Sequence, residues 1–257
     1  MRLENKVAVV TGACGGIGQA IVSKFVAEGA RVVAADLDLA QAEQFAAGYD
    51  GQVLGLSVDV TDYAAVERMI ETAVTHFGTL DVVINNAGIG APKSLLDHDP
   101  VADWDTVTQV NQKGVYHGIL AAGRKFRDLG KAGVILNTSS VYGRMAGEMS
   151  FTYNVSKAAV DMMTKSAALE LAPLGIRVAA VAPGRVDTPL LRQYEALGLW
   201  DHIRREHMRE EFTQPEEIAD VFAFLASGES NCLNGTTVYA EDGFSNFKYP
   251  LLPPRER

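Results

Sequence analysis

Lys6-Val7-Ala8-Val9-Val10-Thr11-Gly12-Ala13-Cys14-Gly15-Gly16-Ile17-Gly18 is the stretch whose reading decides the fold. Its first half is a short β-branched apolar run, the pattern of a strand buried on both faces of a parallel sheet. Its second half is a glycine-rich turn, and an amphipathic helix follows over about residues 19–28. Strand, turn and helix N-terminus together make an anion site, because exposed backbone N–H groups and the helix dipole both favour a pyrophosphate. Gly12 permits the turn, Gly16 lets the backbone approach a ligand, and Gly18 allows the helix to pack closely on the strand. Gly15 and Ile17 complete the loop. The order is TGxxxGxG, not the GxGxxG spacing.

Outward from this unit the chain alternates strand and helix. Residues 31–35 form the second strand and end at Asp36, eighteen positions after Gly18. A carboxylate there can accept hydrogen bonds from an adenosine ribose and repel a 2′-phosphate. Neither Gly15 nor Leu37 offers a basic group to offset that repulsion, so NAD is expected over NADP. Asp36 could also cap the helix that starts near Leu39. Strand three (residues 53–58) leads into Asp59-Val60 and a helix over 63–77, and strand four (80–84) delivers Asn85-Asn86-Ala87-Gly88. A helix over 104–129 contains Asn111, an amide in an otherwise apolar pattern, readable as functional or as a satisfied core polar group.

Strand five (133–137) ends in Thr138-Ser139-Ser140, and strand six (177–181) leads to Pro183-Gly184-Arg185-Val186-Asp187-Thr188. Residues 189–212 are amphipathic and charge-rich without strand character, as expected of a lid over a site. A helix over 215–227 and a strand over 236–240 close the pattern. Seven strands with intervening helices predict an α/β fold: one doubly wound parallel sheet, helices on both faces, a single domain over 1–257. Phe247, Tyr249, Leu251 and Leu252, in the tail 244–257, suggest a segment packed on protein, such as a neighbouring subunit.

The chemistry concentrates in Tyr153-Asn154-Val155-Ser156-Lys157, on a helix over about 151–174. Positions four apart share a helix face, so a phenol lies beside an ammonium. Tyrosine titrates near ~10, and a base useful near neutrality needs roughly 4 kcal/mol of help. One cation at about 4 Å with an effective dielectric near 20 supplies that amount. YxxxK alone recurs by chance; here Ser140, thirteen residues upstream at a strand end, can face Tyr153. Tyr142, Glu148 and Arg185 complete the expected substrate residues. Glu148 lies between Ser140 and Tyr153, and a carboxylate in that loop accepts hydrogen bonds only, which suggests a polyol or sugar. Its alternatives are solvent or a pair with Arg144.

Length and composition bound the rest. A chain of 257 residues with 47% hydrophobic content suits one α/β domain, and a net charge of -9 disfavours nucleic acid. Cys14 and Cys232 cannot make a disulfide framework, no apolar run approaches a membrane span, and no secretory signal is apparent. A cytoplasmic protein with a small-molecule substrate is expected. The five histidines show no ligand spacing, so no metal is assigned.

Taken in order, Thr11-Gly12, Gly16-Ile17-Gly18, Asn85-Asn86-Ala87-Gly88, Asn111, Ser140, Tyr153, Lys157, Pro183-Gly184 and Thr188 resemble a short-chain dehydrogenase/reductase over nearly the whole chain. The resemblance implies Tyr153 as the acid/base, Lys157 lowering its pKa and holding the nicotinamide ribose, Ser140 orienting the substrate oxygen, and Asn111 anchoring a proton-carrying water chain. It places Asp59 and Val60 at the adenine, Asn86 and Gly88 at the adenosine side, and Val186 and Thr188 at the carboxamide. It further implies a homodimer or homotetramer. The usual Asp-Gly-Gly after the last strand reads Glu241-Asp242-Gly243 here. An NAD-dependent dehydrogenase of a secondary alcohol is therefore expected; the alternatives are an NADPH-dependent 3-oxoacyl-type reductase and a dinucleotide sensor without chemistry.

Overall fold

Among the described residues the short apolar runs form seven parallel strands: β1 (Val7–Thr11), β2 (Arg31–Asp36), β3 (Val53–Ser57), β4 (Val82–Asn85), β5 (Val134–Thr138), β6 (Arg177–Pro183) and β7 (Thr237–Ala240). The structure, a computed structural model, describes residues 1–90 and 92–246. The sheet order is β3-β2-β1-β4-β5-β6-β7. Val9 lies beside Val33 on one side and Val83 on the other, so β1 is central. The order reverses between β1 and β4, and the carboxyl ends of these strands therefore border a crevice.

Among the described residues eight α-helical segments accompany the sheet: α1 (Gly16–Ala27), α2 (Leu39–Ala46), α3 (Tyr63–Phe77), α4 (Thr106–Thr108), α5 (Gly114–Asp128), α6 (Phe151–Leu171), α7 (Trp200–Arg204) and α8 (Pro215–Ala226). Strand alternation splits the core into two layers. Ala8, Val10, Val32 and Ala34 pack with Ile21 and Phe25 of α1 and Phe222 of α8. Val7, Val9, Val33 and Ala35 face Met69 and Ile70 of α3, Phe126 of α5 and Ala168 of α6. Phe25, Phe126 and Phe222 are fully buried; truncating any one to alanine would cost about 3–5 kcal/mol. Among the described residues, no helix is long and apolar enough to cross a membrane.

Several details differ from the sequence reading. Helix α1 begins at Gly16, so two glycines of the loop lie inside its first turn. Asp38, not Asp36, caps α2 by accepting from the Gln41 N–H. Helix α5 is preceded by π-helical turns over Pro100–Asp105 and Gln109–Lys113, with α4 between them. Segment 189–212 folds as a short turn (Leu191–Tyr194) and α7 around its own small core of Leu191, Ile203 and Phe212. Phe247, Tyr249, Leu251 and Leu252 lie outside the described residues.

Candidate active site

Side chains at the ends of β1, β4 and β5 are stitched together before any chemistry is considered. Thr11 Oγ1 accepts from the Asn86 and Ala87 N–H groups, and the Asn86 amide donates to the Thr11 and Gly12 carbonyls. Thr138 Oγ1 donates to Asn86 Oδ1 at 3.1 Å. Asn85 and Asn137 pair in the interior, and Asn137 continues to Thr164 on α6. Buried polar groups of this kind hold one geometry because each lost bond leaves an unsatisfied partner.

An open cleft of ≈ 1420 Å³ runs along this edge. Gly12, Gly15, Gly16, Ile17, Gly18, Asp36, Leu37, Asp59, Val60, Asn86, Gly88, Tyr153, Lys157 and Thr188 all line it. Gly12 has φ +62°, and a Cβ there would lie 2.8 Å from Ala87 Cα. A Cβ on Gly18 would lie 2.0 Å from the Gly12 carbonyl oxygen, so only glycine lets α1 start here. Gly15 caps α1 without a side-chain hydrogen bond, and no acidic residue sits in the first turn. The first N–H groups are thus left to an anion, which fits a pyrophosphate. Asp36 accepts from the Cys14 and Leu37 N–H groups, 2.8 Å each. These bonds fix the carboxylate beside the glycine loop and leave lone pairs for hydroxyl donors.

A second, open cavity shares Ile17, Thr138, Tyr153, Thr188 and Leu190 with the cleft. Ser140, Tyr142, Pro183, Gly184, Arg185 and Val186 line it. Tyr153 stands at the junction of the two spaces. Its phenol is half-buried at the surface of the cleft, yet the surrounding protein pushes its pKa up to about 12, with the Ser140 hydroxyl pulling the other way. The expected lowering by Lys157 is absent: Lys157 Nζ lies 5.5 Å from the ring centroid and donates to the Thr138 carbonyl. Burial, with the Tyr194 phenol adding to it, outweighs the Ser140 hydroxyl for Tyr153. It also lowers Lys157 itself to about 8, opposed by Asp161.

Asn111 lies in the π-helical turn Gln109–Lys113 and is fully buried. Its Oδ1 accepts from the Ile89 N–H, and its Nδ2 donates to the Ile89 carbonyl and Ser156 Oγ. The side chain therefore fastens the loop after β4. A Cβ on Gly88 would come within 3.3 Å of Lys157 Nζ and 3.5 Å of Asn111 Oδ1. Glu148 is a correction. It is exposed and lines neither the cleft nor the cavity. The preceding loop turns at Met149, φ +57°, and Ser150 reaches the cavity instead. Arg144 lies over the Tyr239 ring, not beside Glu148.

Sequence reading missed the walls supplied by Pro92, Leu191, Gln193 and Tyr194. It also missed the setting of Arg185, which is 8% exposed. Its Nε donates to Glu206, its backbone N–H to His207 Nε2, and its guanidinium carbon lies 5.1–5.6 Å from the rings of Tyr142, Tyr194 and Phe244. No periodic signal marks these partners, which come from separate segments of the chain. Glu241 accepts from the Ser245 N–H and Asn246 Nδ2, while Asp242 accepts from the Arg209 N–H. The Glu-Asp-Gly variant thus anchors both its own loop and the end of the lid segment.

Residues 12–245 match the family model described as enoyl-(acyl carrier protein) reductase. The chain is 36% identical over 254 residues to the 3beta-hydroxysteroid dehydrogenase 2 of Eggerthella lenta, covering 95% of this chain and 96% of the relative. It is 37% identical over 246 residues to the 3-oxoacyl-(acyl-carrier-protein) reductase FabG of Thermotoga maritima, covering 95% and 99%. The solved 3-ketoacyl-(acyl-carrier-protein) reductase of Brucella melitensis, complexed with NADH, superposes with a TM-score of 0.88 at 33% identity, covering 95% of this chain and 99% of that one.

Proposed function

Since this chain belongs to the short-chain dehydrogenase/reductase family, whose members are oxidoreductases that use a nicotinamide dinucleotide, we propose that it interconverts a secondary alcohol and its ketone with NAD, with Tyr153 as the acid/base. The observation that carries this reading is the position of Tyr153 where the dinucleotide-sized cleft meets the second cavity. The nicotinamide ring, when bound, supplies or accepts the hydride. Tyr153 holds the proton that the substrate oxygen gains or loses, so a free alkoxide never forms. With the phenol pKa near 12, Tyr153 is protonated at neutral pH, as a proton donor to a carbonyl oxygen needs to be. Ser140 orients that oxygen. Lys157, tied to Thr138, presents its remaining ammonium hydrogens to the cleft as ribose donors. Asn111 positions the loop that carries Gly88.

NAD is favoured over NADP because Asp36 stands at the end of the cleft by the glycine loop. Among the described residues lining the cleft, Lys157 is the one cation, and it belongs to the Tyr153 end. A 2′-phosphate beside Asp36 would meet uncompensated repulsion. This argues against the NADPH-linked 3-oxoacyl reading, although the relative in Thermotoga maritima carries that reductase's name. The polyol reading loses its carboxylate with Glu148 outside the cavity. Ile17, Pro92, Val186, Leu190 and Leu191 favour a hydrocarbon skeleton, in keeping with the hydroxysteroid in the name of the Eggerthella lenta relative.

A homo-oligomer is supported by Val155, Met162 and Leu169, exposed at seven-residue spacing along α6. Free Cys14 and Cys232 support a reducing, cytoplasmic setting. The reading is tested by following NADH absorbance with a panel of ring and chain secondary alcohols, and with NADP in place of NAD. Reduction of NAD by at least one alcohol, and little of NADP at matched concentration, is the expected result. Failure with every alcohol and ketone would reject it.

A further inference from the structure

Arg185 is the one charged side chain among the described residues lining the substrate cavity, and most of the walls around it are apolar or aromatic. Resting on the reading of that cavity as an alcohol-oxidoreductase site, we propose that Arg185 is the specificity-determining anchor for a carboxylate on the substrate, so that the substrate is a hydroxy acid or the corresponding keto acid. A guanidinium carries five N–H groups. Glu206 takes the one on Nε, and among the described residues the Nη groups have no hydrogen-bond partner. The edge between Nη1 and Nη2 is therefore available to both oxygens of a second carboxylate, the planar fork that suits arginine better than lysine.

The guanidinium is also held in place in advance. Tyr142, Tyr194 and Phe244 surround it at 5.6, 5.1 and 5.6 Å, and Glu206 fixes its rotation. Ordering costs that a flexible surface arginine would incur on binding are already met. A purely structural clamp between β6 and the lid would need only the Glu206 pair and the His207 bond. It would not need a side chain opening on the cavity with four N–H groups to spare.

The Tyr142 ring bridges the two ends of the site, with its centroid 6.5 Å from that of Tyr153 and 5.6 Å from the Arg185 guanidinium carbon. Because Tyr153, Tyr142 and Arg185 line one pocket, a single hydroxy acid can place its hydroxyl at Tyr153 and its carboxylate at Arg185. The charge that the Glu148 reading would have used against an acid is exposed outside the cavity.

The test uses the full-length protein with NAD and a panel of hydroxy acids, each paired with its methyl ester. A charge-assisted bidentate contact predicts that kcat/KM for the acid exceeds that for the ester by about 10- to 100-fold in the wild type. Arg185→Met brings this ratio towards one, and Arg185→Lys leaves it in between. Calorimetric binding of benzoate against benzamide to the NADH complex needs no turnover, and tighter benzoate binding that Arg185→Met abolishes supports the anchor. Equal or better turnover of esters in the wild type overturns the proposal while leaving the alcohol-oxidoreductase reading intact. So does a ratio unmoved by Arg185→Met, or equal binding of benzoate and benzamide. Arg185-dependent benzoate binding without turnover of any alcohol or ketone would instead keep the anchor and reject the reading. If Arg185→Met fails to fold, the wild-type ratio and Arg185→Lys still decide.

Discussion

Lys157 Nζ donates to the carbonyl of Thr138 at 2.8 Å, tying the helix that carries Tyr153 to the strand end that leads into Ser140. The bond fixes the spacing of the two groups from opposite elements. It also commits one ammonium hydrogen to the backbone and holds the charge in a buried place, at 3% exposure.

That burial has a measurable sign. Lys157 titrates near 8 in the folded protein, through desolvation opposed by Asp161, and near ~10.4 when unfolded. Below pH 8 both states carry the charge and the burial cost is fully felt. Between these values the unfolded chain binds more protons, so stability rises with pH. Relative to Lys157→Met, wild-type stability should improve by about 3 kcal/mol between pH 7 and pH 10.5. Urea denaturation at the two pH values checks this, and a constant difference would contradict it.

Asp36→Asn should relax cofactor selection while keeping an acceptor for the Cys14 N–H. The repulsion removed amounts to a few kcal/mol at an effective dielectric near 20, enough for the NADPH-to-NADH ratio of kcat/KM to rise about 10-fold or more. Steady-state rates with both reduced cofactors decide. A wild type that already uses both equally would defeat the assignment.

The two cysteines should react differently. Cys14 is buried in the glycine loop, and desolvation with the Asp36 carboxylate nearby pushes its thiol up to about 11. Cys232 is exposed. Iodoacetamide at pH 8 should therefore modify Cys232 first, since thiolate is the nucleophile and Cys14 is about 0.1% ionised. Peptide mapping reads the order; faster labelling of Cys14 would mean that the loop is open.

The fold was legible because the strands alternate with period two or run wholly apolar, and glycine and asparagine mark where they end. Asp36, Asn86 and Ser140 were read from their places at strand ends, and Tyr153 and Lys157 from their four-residue spacing on one helix face. What stayed hidden depends on approach between remote segments. The placement of Glu148 turns on one left-handed residue, Met149. The cage around Arg185 draws on Tyr142, Tyr194 and Phe244, three rings from separate loops with no shared spacing. Sequence gave Tyr153 a cationic neighbour but not the depth of protein around it, and that depth reverses the expected direction of its pKa.

Tyr153→Phe keeps the ring and removes the proton, so it tests the central claim most directly. Initial rates of NADH formation should be compared between wild type and variant, using the secondary alcohol that the wild type oxidises best. NADH binding should be followed by fluorescence as a check on the fold. A fall of at least about 100-fold in turnover, with NADH affinity unchanged, is the predicted result. Turnover within a few-fold of wild type in a folded, NADH-binding variant would show that the proton travels by another group.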